Sequence, residues 1–561
     1  MAIGYCLLVI GLPSCSDLLD TDSEFVEWVE DNRLQHPTDS VYSVMGIIYK
    51  MQTIADRTLL LGELRGDLTI TTAEANSDLK AITEFEVDEQ NKYNRISDYY
   101  AVINNCNYFL KYVDTTLVKR DRKVFESEYA AVKAFRAWTY LQTALVYGRV
   151  PLVTEPLLTE DEARKAMNGD YVGLGDICRY FIEDIKDYVD TKLPSYGGSV
   201  SQKFFIPVRV LLGDLCLWAG DYREAAQYYH DYLSLRTTPV ATSTQGSRWY
   251  DADTKEFRSV ILGLDYSQTN GDECRCYIPM EYSEFYGVYS ELDDIFNSTV
   301  NNQYYAQVTP TVRMRQLSSE SNYCAVISNP SGAQDTIYAP KEHLYNDKYI
   351  GDLRFGTTYT SQIINNDRFS HTSSEIQEIR KIRSTGVTIY RANMIYLRYA
   401  EALNRAGYPQ SAFAVLKYGL YDDTVGKQID EEERTAAAGL ISFDPDLFTV
   451  ENTQGVHSRG SGRADCDTLY VLPQPTTTLA TREDTVEYQI PLVEDMIITE
   501  MALEGAFEGY RYYDLMRVAL RRNDPAYLAD PISCREGMPN EVLRSKLMNK
   551  DNWYLPLPKT R

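Results

Sequence analysis

The stretch Glu504-Gly505-Ala506-Phe507-Glu508-Gly509-Tyr510-Arg511-Tyr512-Tyr513-Asp514-Leu515-Met516-Arg517 sets charges among aromatic residues at fixed steps. Glu500, Glu504 and Glu508 recur every fourth residue, so a helix puts all three on one face. Arg511, Asp514 and Arg517 follow at steps of three on a neighbouring face. A helix this rich in aromatics and ordered charge is expected to pack against others with its carboxylates paired, to Arg511, Arg517 or Arg398. Catalysis by these carboxylates is the competing reading. It fails on geometry: acids on one helix face lie on one side of a substrate, whereas a glycosidase flanks the scissile bond.

Working outward, the same helical period recurs. Tyr129, Val132, Phe135 or Arg136, and Thr139 or Tyr140 predict a helix from about Phe125 to Val146 or Tyr147, with Gly148 past its end and Pro151 beyond. Val208, Leu211, Leu212 and Leu215 form a second stripe. Gly220-Asp221 reads as a turn into a helix with Tyr222, Ala225, Ala226, Tyr229 and Leu233 on one face. The run Leu217 to Ala226 resembles a tetratricopeptide repeat, with small residues where two helices cross. Met394 to Arg405 and Ser411 to Tyr418 predict a third pair broken at Gly407 and Pro409, and about Leu492 to Arg522 a fourth. Long excursions separate these units. Residues 234 to 390 are rich in Ser, Thr, Asn, Gly and Tyr, and read as loops with a few strands; residues 420 to 490 look similar.

Composition narrows the function. A formal net charge of -25 gives an acidic surface that repels phosphate backbones, so nucleic acid is not an expected partner. No Gly-rich loop follows a strand to cradle phosphate, and the five histidines show no metalloprotease spacing. Cys274-Arg275-Cys276 is the one close cysteine pair, without a second pair at zinc distance. Neither cofactor nor metal is expected. Arg65-Gly66-Asp67 could suggest integrin binding, but a salt bridge at a helix end is the stronger reading of so short a triplet.

Near the start, Tyr5 to Leu12 is an apolar run too short to span a bilayer. It ends in Leu12-Pro13-Ser14-Cys15, which resembles a bacterial lipoprotein signal with Cys15 as the lipidated residue. Ser16-Asp17-Leu18-Leu19-Asp20-Thr21-Asp22 resembles the acidic tag that exports lipoproteins to the outer leaflet of the outer membrane.

Further pieces resemble one family. They are Ile103 to Leu110; Ala134 to Tyr140 leading to Tyr147-Gly148-Arg149-Val150-Pro151-Leu152-Val153; Tyr396 to Arg405; and Glu504 to Arg517, echoed by Trp553-Tyr554-Leu555-Pro556-Leu557-Pro558. With the lipobox and acidic tag, they run through the chain in the order of the SusD/RagB outer-membrane nutrient-binding lipoproteins, which the chain resembles. The resemblance implies a mainly α fold: tetratricopeptide-like helix pairs forming a scaffold, with an irregular, loop-rich ligand-binding lobe. It also implies a non-catalytic lipoprotein at the cell surface that hands an oligosaccharide, or in some members a peptide, to a SusC-like TonB-dependent transporter. A glycoside hydrolase is the weaker alternative.

The expected organisation is a signal peptide over 1–14, a flexible acidic leader over 15–24 and one domain over 25–561. Its scaffold takes about 25–235, 388–420 and 490–525, and its lobe about 236–387 and 421–489. Sugar rings lie flat on aromatic rings while Asn, Asp and Arg bind their hydroxyls, so loop aromatics are the candidates. These are Trp249, Tyr282, Tyr286 and Tyr289. The last three stand at helical spacing and suit a packing face equally well. The family takes binding aromatics from the first third and the middle of the chain, which adds Tyr93.

Overall fold

Helix Glu126–Tyr147 shows how sequence period becomes packing. Almost every side chain from Ala130 onward is buried, as expected of a helix enclosed by others. It packs between helices Ile96–Tyr112 and Leu174–Ile185. Gly148, at φ +74°, ends it by donating its N–H to the Ala144 carbonyl at 2.8 Å. This is a computed structural model, and it describes residues 37–196, 199–235, 250–251, 256–257, 273–280, 288–299, 301–302, 305–322, 324–338, 351–365, 373–382, 386–461, 467–476 and 481–557.

The chain then stacks helix on helix. Val208–Ala219 turns through Gly220 into Tyr222–Ser234, and Gly220 sits at φ +90°, where a β-carbon is costly. Ala392–Arg405 packs against Tyr222–Ser234, Pro409–Lys417 and Arg482–Glu504. Pro37–Glu63 and Arg511–Arg522 close the assembly from the other side. The fold is mainly α, with helix pairs as its scaffold. Among the described residues, no helix is long and apolar enough to cross a membrane.

Two expectations need correcting. The Glu504 to Arg517 stretch is not one helix. Arg482–Glu504 ends there, a turn follows with Phe507 at φ +68° and Gly509 at φ +84°, and Arg511 opens a new helix. The turn is pressed onto Pro37–Glu63: a β-carbon on Gly62 would lie 1.7 Å from the Gly509 carbonyl oxygen. Glu63 accepts the N–H groups of Phe507 and Gly509, both at 3.1 Å, and its complete burial pushes its carboxyl up to about 8. Secondly, 421–489 is less irregular than its composition suggests. Asp422–Gln428 and Glu431–Ile441 are helices, the latter capped by Asp430 and carrying an alanine run that favours helix.

The strands form seven antiparallel pairs among the described residues. Cys274–Pro279 pairs with Gly386–Arg391 against the scaffold. Thr69–Thr71 pairs with Val308–Pro310, Thr69 opposite Pro310. That short ladder joins the first loops of the chain to the middle excursion. Cys274 and Cys276 are both buried.

Candidate ligand-binding face

Next to that ladder, two distant segments meet through Glu291. Lys92 pairs with Glu291 at 2.6 Å, and the Tyr93 hydroxyl donates to the same carboxylate oxygen at 3.1 Å. Asp56, on helix Pro37–Glu63, fixes the other end by accepting from the Ser290 hydroxyl and the Glu291 N–H, both at 2.8 Å. Burial pushes the Asp56 carboxyl up to about 6, against the pull of those two hydrogen bonds.

From there the chain enters the short helix Leu292–Phe296, whose Asp294 is the second hub. It accepts from the Tyr289 hydroxyl at 2.5 Å, from Asn301 at 3.1 Å and from the Thr299 hydroxyl. Its carbonyl accepts from the Asn302 amide at 2.8 Å. Tyr305 follows, held by its N–H on the Asn302 carbonyl at 3.1 Å, with 57% of its surface exposed. Gln307 reaches back to Asn76, 3.2 Å from its amide nitrogen. The outcome is a rigidly braced patch with an open tyrosine, a half-buried one, and amides and carboxylates around them. Such a patch can stack a ring and bind hydroxyls at its edge.

Of the sequence candidates, the structure brings Tyr93 and Tyr289 into this patch. Tyr93 is only 5% exposed, so its ring has no open face for stacking; it supports Glu291 instead. Tyr289 is not helical; its hydroxyl is tied down while part of its ring stays open. Cys15, Trp249, Tyr282 and Tyr286 lie outside the described residues. Tyr305 escaped the sequence reading, although an aromatic after Asn301-Asn302 in the middle excursion carries the same signal as the residues singled out.

The carboxylates of the charged stretch are elsewhere and are closed off. Glu504 is fully buried and meets Arg354 at 2.9 Å and Arg391 at 2.6 Å. Glu500 takes Arg354 and His457, and Glu508 takes Lys381 and Arg391. Ion pairing is thus the right account, but with other partners than expected. Arg511 binds Asp67, Arg517 binds Glu401 and Arg398 binds Asp214. The Asp67 of the Arg-Gly-Asp triplet is buried in that pair, and Arg65 lies over the Tyr512 ring at 4.1 Å. Burial by itself would raise the Glu401 carboxyl; Arg517 and Arg521 hold it down to about 2. No substrate bond can reach Glu504 between such partners.

No family model matches the chain, and no curated protein matches it. Solved structures do. A SusD superfamily protein of Bacteroides vulgatus aligns with a TM-score of 0.56 at 13% identity, covering 94% of this chain and 97% of that one. A SusD-like carbohydrate binding protein of Bacteroides fragilis gives 0.54 at 14% identity, over 88% of each chain. A putative sugar binding protein of Bacteroides vulgatus gives 0.52 at 15%, over 87% of this chain and 88% of that one. At these identities the likeness is one of backbone architecture over nearly the whole length, and the chain has the SusD/RagB family fold.

Proposed function

We propose that the chain is a non-catalytic cell-surface protein that captures an oligosaccharide and passes it to a SusC-like TonB-dependent transporter. The observation that carries this reading is the exposed Tyr305 ring on a braced patch of Tyr289, Asp294, Asn301 and Asn302. The described carbohydrate-binding and sugar-binding neighbours support the ligand class. The internal pairing of Glu500, Glu504 and Glu508 supports binding without bond cleavage. A lipid on Cys15 would hold the protein at the membrane and raise its effective concentration at the transporter.

A glycan array with the purified chain tests the capture step. At least one oligosaccharide should bind and be recovered uncut, and Tyr305→Ala should weaken it about ten-fold, the loss of one good ring contact. Binding of peptides and no glycan, or release of cleaved sugar, would overturn the reading. For the anchor, Cys15→Ala should move the protein from the membrane fraction to the soluble one with its melting temperature unchanged.

A further inference from the structure

The loop between helices Ile96–Tyr112 and Glu126–Tyr147 is drawn out into a small hairpin, Val118–Lys119 against Arg122–Lys123. Every residue from Val118 to Lys123 is exposed. Lys119, Arg120, Arg122 and Lys123 set four cations there against the one carboxylate of Asp121, in a chain whose net charge is -25. Elsewhere, exposed cations sit on carboxylates: Lys92 on Glu291, Lys111 on Glu155, Arg164 on Glu160, Lys427 on Asp423. Among the described residues, none of the four hairpin cations has an ion pair or a side-chain hydrogen bond. The turn is unusual as well. Arg120 at φ +53° and Asp121 at φ +60° hold left-handed positions that Asn and Gly fill with least strain. Strain kept where it displays charge points to a use for that charge.

We propose that this hairpin docks on an anionic membrane surface, with its cations among the lipid phosphates. Cross-strand neighbours share a face and successive residues alternate, so Lys119 and Arg122 project from one face and Val118 and Lys123 from the other. Cations spread around a tip cannot converge on one small anion; they suit a sheet of phosphates that the tip meets end-on. Val118 is 58% exposed, and an apolar side chain beside cations is the composition of a membrane-surface contact. The helix leading into the hairpin ends with Tyr108 and Tyr112, half-buried rings 4.5 Å apart that suit the depth of lipid headgroups. A folded protein partner fits less well, because the centre of such an interface is poor in charge.

The nearby acids do not cancel the tip. Glu128 is held by Tyr196 at 3.1 Å, which leaves Asp114 and Glu126 at the base. At about 3.3 Å per residue the tip stands roughly 10 Å beyond that base. The Debye length is about 8 Å at physiological salt, so the base and the acidic body are largely screened from a surface the tip touches. The orientation agrees. Thr58 and Leu59 lie with Leu141 and Leu145 around one small cavity. Gln52 instead reaches Pro279, whose strand meets Phe204 through Tyr277, next to Phe205 on Phe135. Helix Pro37–Glu63 therefore runs the same way as Glu126–Tyr147, and the chain enters it at the hairpin's end of the scaffold. A lipid on Cys15 would hold the chain by that end; the inference rests on the cell-surface reading above for the presence of a membrane.

Vesicle co-sedimentation of the full chain carrying Cys15→Ala tests the hairpin without the lipid. Each cation near an anionic surface is worth roughly five-fold in partitioning. Vesicles of phosphatidylglycerol and phosphatidylcholine in equal parts should bind the chain on the order of a hundred-fold more tightly than phosphatidylcholine alone. That preference should hold at about 0.15 M salt and vanish at about 1 M. Lys119→Gln with Arg122→Gln should remove roughly thirty-fold of it and leave the melting temperature unchanged. Lys165→Gln with Lys427→Gln takes the same charge from other exposed sites and should leave vesicle binding as it was. Inorganic phosphate should compete no better than chloride at equal ionic strength, because the hairpin meets an array rather than a single anion. Equal binding to the two kinds of vesicle, equal losses in the two double variants, displacement by inorganic phosphate, or binding of polygalacturonate in place of vesicles overturns the proposal. The hairpin orients the chain rather than anchoring it, so Cys15→Ala is still expected to leave washed cell membranes. That release without vesicle binding would sink the hairpin and leave the anchor standing.

Discussion

The Glu504 cluster and the Glu291 patch are built from the same groups, carboxylates paired with cations and hydroxyls, but at opposite burial. Arg354 and Glu504 are both 0% exposed at the side chain; Lys92 and Glu291 are 43% and 47% exposed. The buried pair joins segments 150 residues apart and has no water to fall back on. The exposed pair can trade its partner for solvent at little cost. Charge inside the scaffold therefore fixes which segments meet, while charge on the patch stays open to solvent.

The sharpest way to break this comparison is to neutralise one buried member. Glu504→Gln leaves Arg354, Arg391 and Arg459 facing one carboxylate fewer in a dry site. Removing one partner of a buried pair costs about 3–5 kcal/mol. Urea unfolding should show a loss of that size for Glu504→Gln and less than about 1 kcal/mol for Glu291→Gln. Similar losses for the two variants would mean that burial is not what separates these regions.

A second test uses pH. Burial opposes the charge on His457, but Glu500 and Asp467 outweigh it and raise the imidazolium from 6.5 to about 9. A folded-state value above the unfolded one means that the folded chain holds the proton more tightly. The stability this supplies is complete below about pH 6.5 and is lost as pH rises through about 9. The span corresponds to about 3 kcal/mol at most. Glu63, raised to about 8, falls off over an overlapping range, so the informative quantity is a difference. The gap in stability between the native chain and His457→Asn should shrink from pH 6.5 to pH 9. A gap independent of pH would remove His457 from the ionised cluster.

The contrast also explains what could be read in the sequence. Helix Glu126–Tyr147 and the turn at Gly220 follow from local spacing and a glycine in the left-handed region, and both stand where that spacing puts them. Glu500 and Glu504 share a helix as their four-residue step requires. The break after Glu504 was marked by Gly505 and Gly509, but the ordered charges suggested an uninterrupted helix. The partners of the carboxylates were out of reach, since Arg354 comes from the middle excursion and Arg391 from the end of strand Gly386–Arg391, and no period links either to Glu504. Tyr93 and Tyr305 fail for a related reason. Both are loop tyrosines next to amides, and only tertiary packing decides that one is covered and the other open.

The smallest expected effect sharpens the other side of the comparison. Tyr305 donates its backbone N–H to the Asn302 carbonyl, and more than half of its surface is in water. Surface substitutions away from buried features change stability by less than about 0.5 kcal/mol. Tyr305→Ala should therefore unfold at the same urea concentration as the native chain while losing oligosaccharide affinity. Tyr93→Phe is its counterpart: the ring and its packing remain, but Glu291 loses a hydroxyl donor, so a cost of about 1 kcal/mol is expected. If Tyr305→Ala proved the more destabilising of the two, its ring would be bracing the patch rather than presenting a free face, and the division between supporting and exposed tyrosines would have to be reversed.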